Sequence, residues 1–266
     1  MGKRIALIFS FVLLIVVLLV IFFMSNSVNS FINDSTKKEF EDSSFSDIEV
    51  ISNHAVVEII STKDSITTVE YTGKKKKNAK YIFTAEIKND KLSVQLKEKR
   101  KSFFSLGFYS SEILLTVKVP DEQYNLIKVN GDNGKIIAEN INTENLVLET
   151  DNGNIELKNV EASSVNVETD NGKITLDQVS GDIFGETDNG GISLVTSNLD
   201  RQIELTTDNG RIEITTENEP TNASIIAETD NGVVKVFGKE NKHTTFGQGK
   251  HLIKLKSDNG RITVTK

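Results

Sequence analysis

The chain contains no cysteine and no tryptophan, and it has only two prolines and three scattered histidines. The missing cysteine excludes disulfides, thiol catalysis and thiolate metal sites. His54, His243 and His251 show no metal-ligand spacing. Aromatics make up only 7% of the residues, so Ile, Val, Leu and Thr carry the apolar patterns, a composition that favours strand. An excess of positive charge is also missing. The net charge is −7 and no basic stripe covers a domain face, which argues against a nucleic-acid partner. With 37% hydrophobic and 26% charged residues, the rest is ordinary globular composition.

The one long apolar run stands at the start. Lys3 and Arg4 precede Ile5–Met24, which is broken only by Ser10. As a helix such a run reaches roughly 30 Å, enough to cross a bilayer. The basic pair ahead of it places the amino terminus inside and the remainder outside. A cleaved signal peptide is the competing reading, with Ser25 and Ser27 as small residues for cleavage. Its apolar core is usually about 7–15 residues, and the longer run here favours a single-pass membrane anchor over residues 1–24. Residues 25–44 are rich in Ser, Asn, Asp and Thr and read as a polar stalk. Residues 45–266 form one extracytoplasmic β domain.

Within that domain, residues 45–125 alternate or run apolar over strand lengths, as in "VVEII", "KLSVQL" and "EILLTVKV", with turn residues between them. Two segments interrupt the pattern. "GKKKKNAK" (Gly73–Lys80) reads as a basic loop. The segment from Lys97 to Ser111 sets Lys99, Arg100 and Lys101 beside Phe103, Phe104, Phe108 and Tyr109. Cations next to aromatics suit an anionic lipid or wall polymer, which makes these seven the candidate partner contacts. The same residues also fit a loop whose rings cap the core while its lysines stay solvated.

From residue 126 to 266 one motif recurs, Asp-Asn-Gly, often as "ETDNG". Its aspartates are Asp132, Asp151, Asp170, Asp188, Asp208, Asp230 and Asp258, at intervals of 19, 19, 18, 20, 22 and 28 residues. Apolar residues hold fixed offsets about each copy, such as Leu146, Leu148, Ile155 and Leu157 around Asp151. Alternation on both sides of a turn means two strands, each with one face buried. Asn-Gly suits a type I′ turn, so Asn152–Gly153, Asn171–Gly172, Asn189–Gly190, Asn209–Gly210, Asn231–Gly232 and Asn259–Gly260 are expected as structural turns. Two architectures produce this pattern. One is an array of hairpins. The other is a β-solenoid, a β-helix-like stack of about 19-residue coils in which Asn and Thr can bond to their own copies above and below. A period that stays near 19 over most of the copies and the recurring Thr favour the solenoid.

Stacked aspartates repel, so each must accept turn amides, face water or share a cation. Asp151, Asp170, Asp188 and Asp208 are the candidate calcium ligands. One acid per corner supplies few ligands, however, and the expectation is a protein without cofactor or bound metal.

The repeated "ETDNG(N/K)I" units, with "LLTVKVPDEQYNLIKVNGDNGKI" (Leu114–Ile136) before them, resemble the toast-rack envelope proteins of bacteria, a family called adhesins by architecture. With its amino-terminal apolar segment, the chain looks most like the LiaG-type membrane-anchored proteins encoded with a Gram-positive envelope stress-response system. The resemblance implies an all-β, β-helix-like domain at the cell envelope and supplies no catalytic residues. A β-helix polysaccharide enzyme would need carboxylates clustered at irregular positions with an acid–base partner, whereas these recur uniformly. No nucleophile elbow, phosphate loop or metal spacing is present. The expectation is a non-catalytic interaction scaffold, with a surface adhesin for wall polymer or host matrix as the alternative.

Overall fold

The computed structural model describes residues 31–41, 44–77, 79–99 and 112–266, and all of its regular structure is β-strand. The apolar run Ile5–Met24 and the contact candidates Arg100, Lys101, Phe103, Phe104, Phe108 and Tyr109 lie outside the described residues.

Strand β1 covers Phe31–Phe40, inside the segment expected as a stalk. It pairs antiparallel with β4 (Thr67–Lys76) along its whole length, from Phe31 opposite Lys76 to Phe40 opposite Thr67. The stalk expectation is therefore corrected for these residues, and so is the basic loop, because β4 runs on through Gly73 to Lys76. The sequence of β1 has no alternation because both of its faces are largely exposed, and it is held by ladder hydrogen bonds rather than by a buried face.

Strands β2 (Asp47–Ser52) and β3 (Val56–Thr62) flank the turn Asn53–Ala55 and form one coil. A hairpin, β5 (Tyr81–Lys88) and β6 (Lys91–Glu98), and then β7 (Glu112–Pro120) precede the motif region. The motif coils follow: β8 (Gln123–Asn133), β9 (Ile136–Asn152), β10 (Ile155–Thr169), β11 (Ile174–Val179), β12 (Asp182–Thr187), β13 (Ile192–Thr196), β14 (Ile203–Thr207) and β15 (Ile212–Thr216). The last are β16 (Ala223–Thr229), β17 (Val234–Val236), β18 (His243–Thr245), β19 (His251–Ser257) and β20 (Ile262–Thr265).

The segments directly flanking a motif do not fold back on each other as an antiparallel hairpin. Each pairs in parallel and in register with its counterpart in the adjacent coil, as Ile155 with Ile136 and Ile174, or Thr169 with Thr150 and Thr187. The pairing is thus coil on coil, and the hairpin-array arrangement is absent from the motif region. Both strand sets turn their apolar residues inward. The column Ile136, Ile155, Ile174, Ile192, Ile212 and Ile262 is at most 1% exposed throughout. Gly185 breaks one column, and a Cβ there would stand 2.9 Å from Leu205 Cδ2 of the next coil.

Stack order differs from chain order at both ends. β2–β3 lies between β6–β7 and β8–β9. β19–β20 lies between β14–β15 and β16–β17. The end coils are the ones that carry covering segments. β5 lies antiparallel on β6, β4 and β1 extend β7, and β18 lies antiparallel on β16. The unusual segment Lys239–His251 is thus a cap, with Phe246 packed edge-on against Phe237 at 5.7 Å. An end coil with bare strand edges invites association, and these segments cover them.

Because β19–β20 is an interior coil, truncation after Lys250 should abolish cooperative unfolding of the carboxyl-terminal half rather than fray one end. Hydrogen exchange of the β14–β16 amides checks this, with loss of protection expected in all three strands.

Candidate functional site

The motif corner is built by close backbone contact. No motif asparagine has a positive φ, and of the motif glycines only Gly134, at 152°, does. The expected type I′ turn is therefore replaced by a bend without left-handed asparagine, and the glycine serves a different purpose. A Cβ on Gly172 would stand 1.9 Å from the carbonyl oxygen of Gly153, and one on Gly210 would stand 1.7 Å from that of Gly190. Only glycine permits one corner to sit so near the next.

The side chains beside it then reach their copies. Asn152 donates to the Oδ1 of Asn133 at 3.2 Å, and Asn171 to that of Asn152 at 3.0 Å. Asn189, Asn209, Asn259 and Asn231 continue the ladder at 3.0–3.1 Å, in stack order rather than chain order. At the near end Asn133 meets His54 Nδ1 at 3.3 Å. The threonines do not bond to each other as expected. Each buried hydroxyl donates instead to the glycine carbonyl of the neighbouring coil, as Thr169 to Gly153 at 2.9 Å and Thr207 to Gly190 at 2.8 Å. Ser257 does the same to Gly210 at 2.8 Å.

A second corner escaped sequence reading. Asn140, Asn159 and Gln178 all have φ of 51–56°, and Asn159 donates to Asn140 Oδ1 at 3.1 Å. Asparagine tolerates the left-handed region best after glycine. The shared 19-residue spacing of the three was the available signal.

Asp151, Asp170, Asp188 and Asp208 are exposed; their backbone carbonyls accept the asparagine N–H of the adjacent coil at 2.8–2.9 Å, whereas their carboxylates accept no motif amide. Their carboxylates face outward from the shaft. Among the described residues no three His, Asp or Glu side chains are grouped to hold a metal. The motif glutamates form a second acidic column, with Glu168 in register between Glu149 and Glu186. Partial burial pushes the Glu168 carboxyl above the usual carboxylate range, and Glu149, Glu186, Asp170 and Asp188 push it the same way.

Charge is divided along the stack. Residues 121–266 hold 25 Asp and Glu against 14 Lys and Arg, a balance of −11, whereas residues 63–118 hold 13 Lys and Arg against 6 Asp and Glu, a balance of +7. Of the described lysines of the basic part, Lys74, Lys75, Lys77, Lys80, Lys97 and Lys99 gather at one pole, where β1 begins, β4 ends and the β5–β6 hairpin opens, whereas Lys63, Lys88, Lys91 and Lys118 lie away from it. Lys75 lies over the Tyr81 ring at 6.0 Å and pairs with Asp34, and the Lys99 amide donates to the Lys80 carbonyl at 2.7 Å. Lys38 donates to the Ala85 carbonyl at 2.9 Å, and Tyr71 packs on Phe83 at 5.1 Å, so β1–β4 and the hairpin close on each other. Of the sequence-predicted contacts, Lys99 is at this pole and exposed.

A coil-stacked, all-β shaft with capped ends defines the structural class. Within it the chain belongs to the Toastrack DUF4097 family, whose model matches residues 45–182. It aligns with a solved protein from Clostridium sporogenes described as a cell adhesion protein, at 13% identity over 88% of this chain and 99% of that one, TM-score 0.43. An adhesin-described protein from Bacteroides fragilis aligns at 12% identity over 87% and 97%, TM-score 0.48. One from Parabacteroides distasonis, described as lipid binding, aligns at 15% over 88% and 97%, TM-score 0.37. No curated protein matches the chain.

Two predictions concern the ridge. Gly210→Ala should lower stability by at least about 3 kcal/mol in a urea melt, because backbone rather than a yielding side chain opposes the new Cβ. Gly191→Ala, whose Cβ would meet its nearest atom at 3.2 Å, should lose less. For Glu168, a raised folded pKa means that the folded state holds the proton more tightly than the unfolded state. Its contribution to stability therefore falls as pH rises above the ordinary value of 4.5. Glu168→Gln should raise the thermal midpoint at pH 7, and the gain should disappear below pH 4.5; an unchanged midpoint at pH 7 would contradict the repulsive column.

Proposed function

We propose that this protein is a non-catalytic component of the bacterial cell envelope. In this reading Ile5–Met24 anchors it in the membrane with the amino terminus inside, and the β-solenoid stands outside as an interaction scaffold. The observation that supports it is the uniformity of the shaft. The same Asp, Asn and Gly recur at every motif corner, the asparagines bonded to their own copies and the preceding Thr or Ser to a glycine carbonyl of the adjacent coil, which suits a spacer and offers no single coil as a reaction centre. Membership of the toast-rack family agrees with a non-enzymatic role. The link to envelope stress rests on the LiaG-type resemblance.

A protease added to intact protoplasts should remove a carboxyl-terminal tag while sparing an amino-terminal one. A protected carboxyl-terminal tag would overturn the topology. Crosslinking in intact cells should then capture membrane proteins. Capture of wall polymer alone would replace the scaffold reading with the adhesin.

A further inference from the structure

The basic pole is also where the chain enters the domain. Only six residues, 25–30, separate Met24 from Phe31 at the start of β1, and fully extended they span roughly 20 Å. Given the anchor proposed above, on which this inference rests, the pole cannot move far from the membrane surface. Its composition suits that position. Lys74, Lys77, Lys80 and Lys99 are exposed and have no ion-pair partner among the described residues. Ile32 is 41% exposed and Ile82 45% exposed, and both belong to the same strand ends, opposite Lys75 and Lys97 respectively. Of the carboxylates nearby, Asp34 is taken by Lys75, Glu112 stands opposite Lys74 in the β4–β7 register, and Glu86 and Glu98 belong to the hairpin that carries Lys88, Lys91 and Lys97 and that Lys80 and Lys99 flank.

We propose that this pole docks on the anionic phospholipid headgroups of the membrane that holds the anchor. Lys74, Lys77, Lys80 and Lys99 meet the lipid phosphates, and Ile32 and Ile82 enter the interface. Each lysine close to an anionic surface adds attraction that fades within a Debye length of about 8–10 Å, so a short tether matters. Apolar side chains among cations are the composition of an interfacial contact. The acidic shaft is repelled by the same surface, which turns the pole towards the lipid and the motif coils away from it.

The absence of cysteine allows a single reporter position. The full chain carrying Thr84→Cys, labelled on exposed β5, is reconstituted into phosphatidylcholine vesicles with or without one part in five phosphatidylglycerol, all containing a headgroup-linked quencher. Glu240→Cys, at the far end of the stack, is the reference. The Thr84 label should be quenched more than the Glu240 label in anionic vesicles. Combined Lys74, Lys77, Lys80 and Lys99→Glu should remove the difference, as should 0.5 M salt. A Lys→Gln set with an unchanged melting temperature separates charge loss from misfolding. Equal quenching of the two labels, or no effect of the lysine changes, overturns docking.

Flotation with neutral vesicles in 0.5 M salt reads the anchor separately. If the chain fails to float there, docking is read by flotation with anionic vesicles at low salt. In that arm the four-lysine variant should bind at least ~tenfold more weakly, and no binding of the parent chain overturns the proposal. Soluble polyphosphate that retains the chain as well as anionic vesicles do would assign the pole to a free polyanion and overturn the lipid.

Discussion

Every motif coil is held against the next at its glycine, where one backbone carbonyl occupies the space that a Cβ would need. That approach fixes the spacing and the register, and the other repeated residues follow from it. The threonine hydroxyl satisfies the carbonyl brought near it, which matters because a buried unpaired polar group costs about 1–3 kcal/mol. The asparagine amide, one position away, is then at hydrogen-bond distance from its copy. The Ile, Val and Leu columns pack because the strands they belong to are already in register. A coil that slipped by one residue would lose all of these at once and turn its apolar residues to water.

The same constraint explains which parts were legible. The offsets of Leu146, Leu148, Ile155 and Leu157 recur because coils stack, so the all-β shaft and its inward columns could be read directly. The role of Asn-Gly could not. A type I′ turn and a close interstrand approach both demand glycine, and local sequence does not separate them. Stack order was hidden for a related reason. The coil at Asp258 carries the same apolar set as its neighbours, so nothing local records that it sits between those at Asp208 and Asp230. Strand β1 lacks an apolar face, and periodicity finds strands only through such faces. Its existence depends on the ladder with Thr67–Lys76, a long-range fact. Among the contact candidates, Lys99 was found as part of a charge run, whereas Ile32 and Ile82 became notable only once burial showed them exposed.

Both poles consist of sequence that does not repeat. Strands β1, β4 and β5 close one end and β18 with its flanking segment helps close the other, while the coils made by β2–β3 and β19–β20 are tucked inside. This arrangement follows from edge protection. An end coil must be covered by something other than another coil, or the stack would continue into a second molecule. Covering segments have no copy above them to match, so they are free of the ladder rules that govern the shaft.

That freedom bears on where recognition can reside. A substitution in the shaft must satisfy two neighbours, and a charge placed there meets whatever charge stands one coil away, repelled as Glu168 is by Glu149 and Glu186, or paired as Lys158 is with Glu139 at 3.3 Å. Shaft surface is therefore governed by its columns, with a net acidic balance. The poles answer only to the single coil they cover, and there the chain gathers lysines, exposed isoleucines and most of its packed rings. A stacked-coil protein can acquire a new partner at its poles without disturbing its shaft, and the charge division along this chain has the form that such a separation of constraints produces.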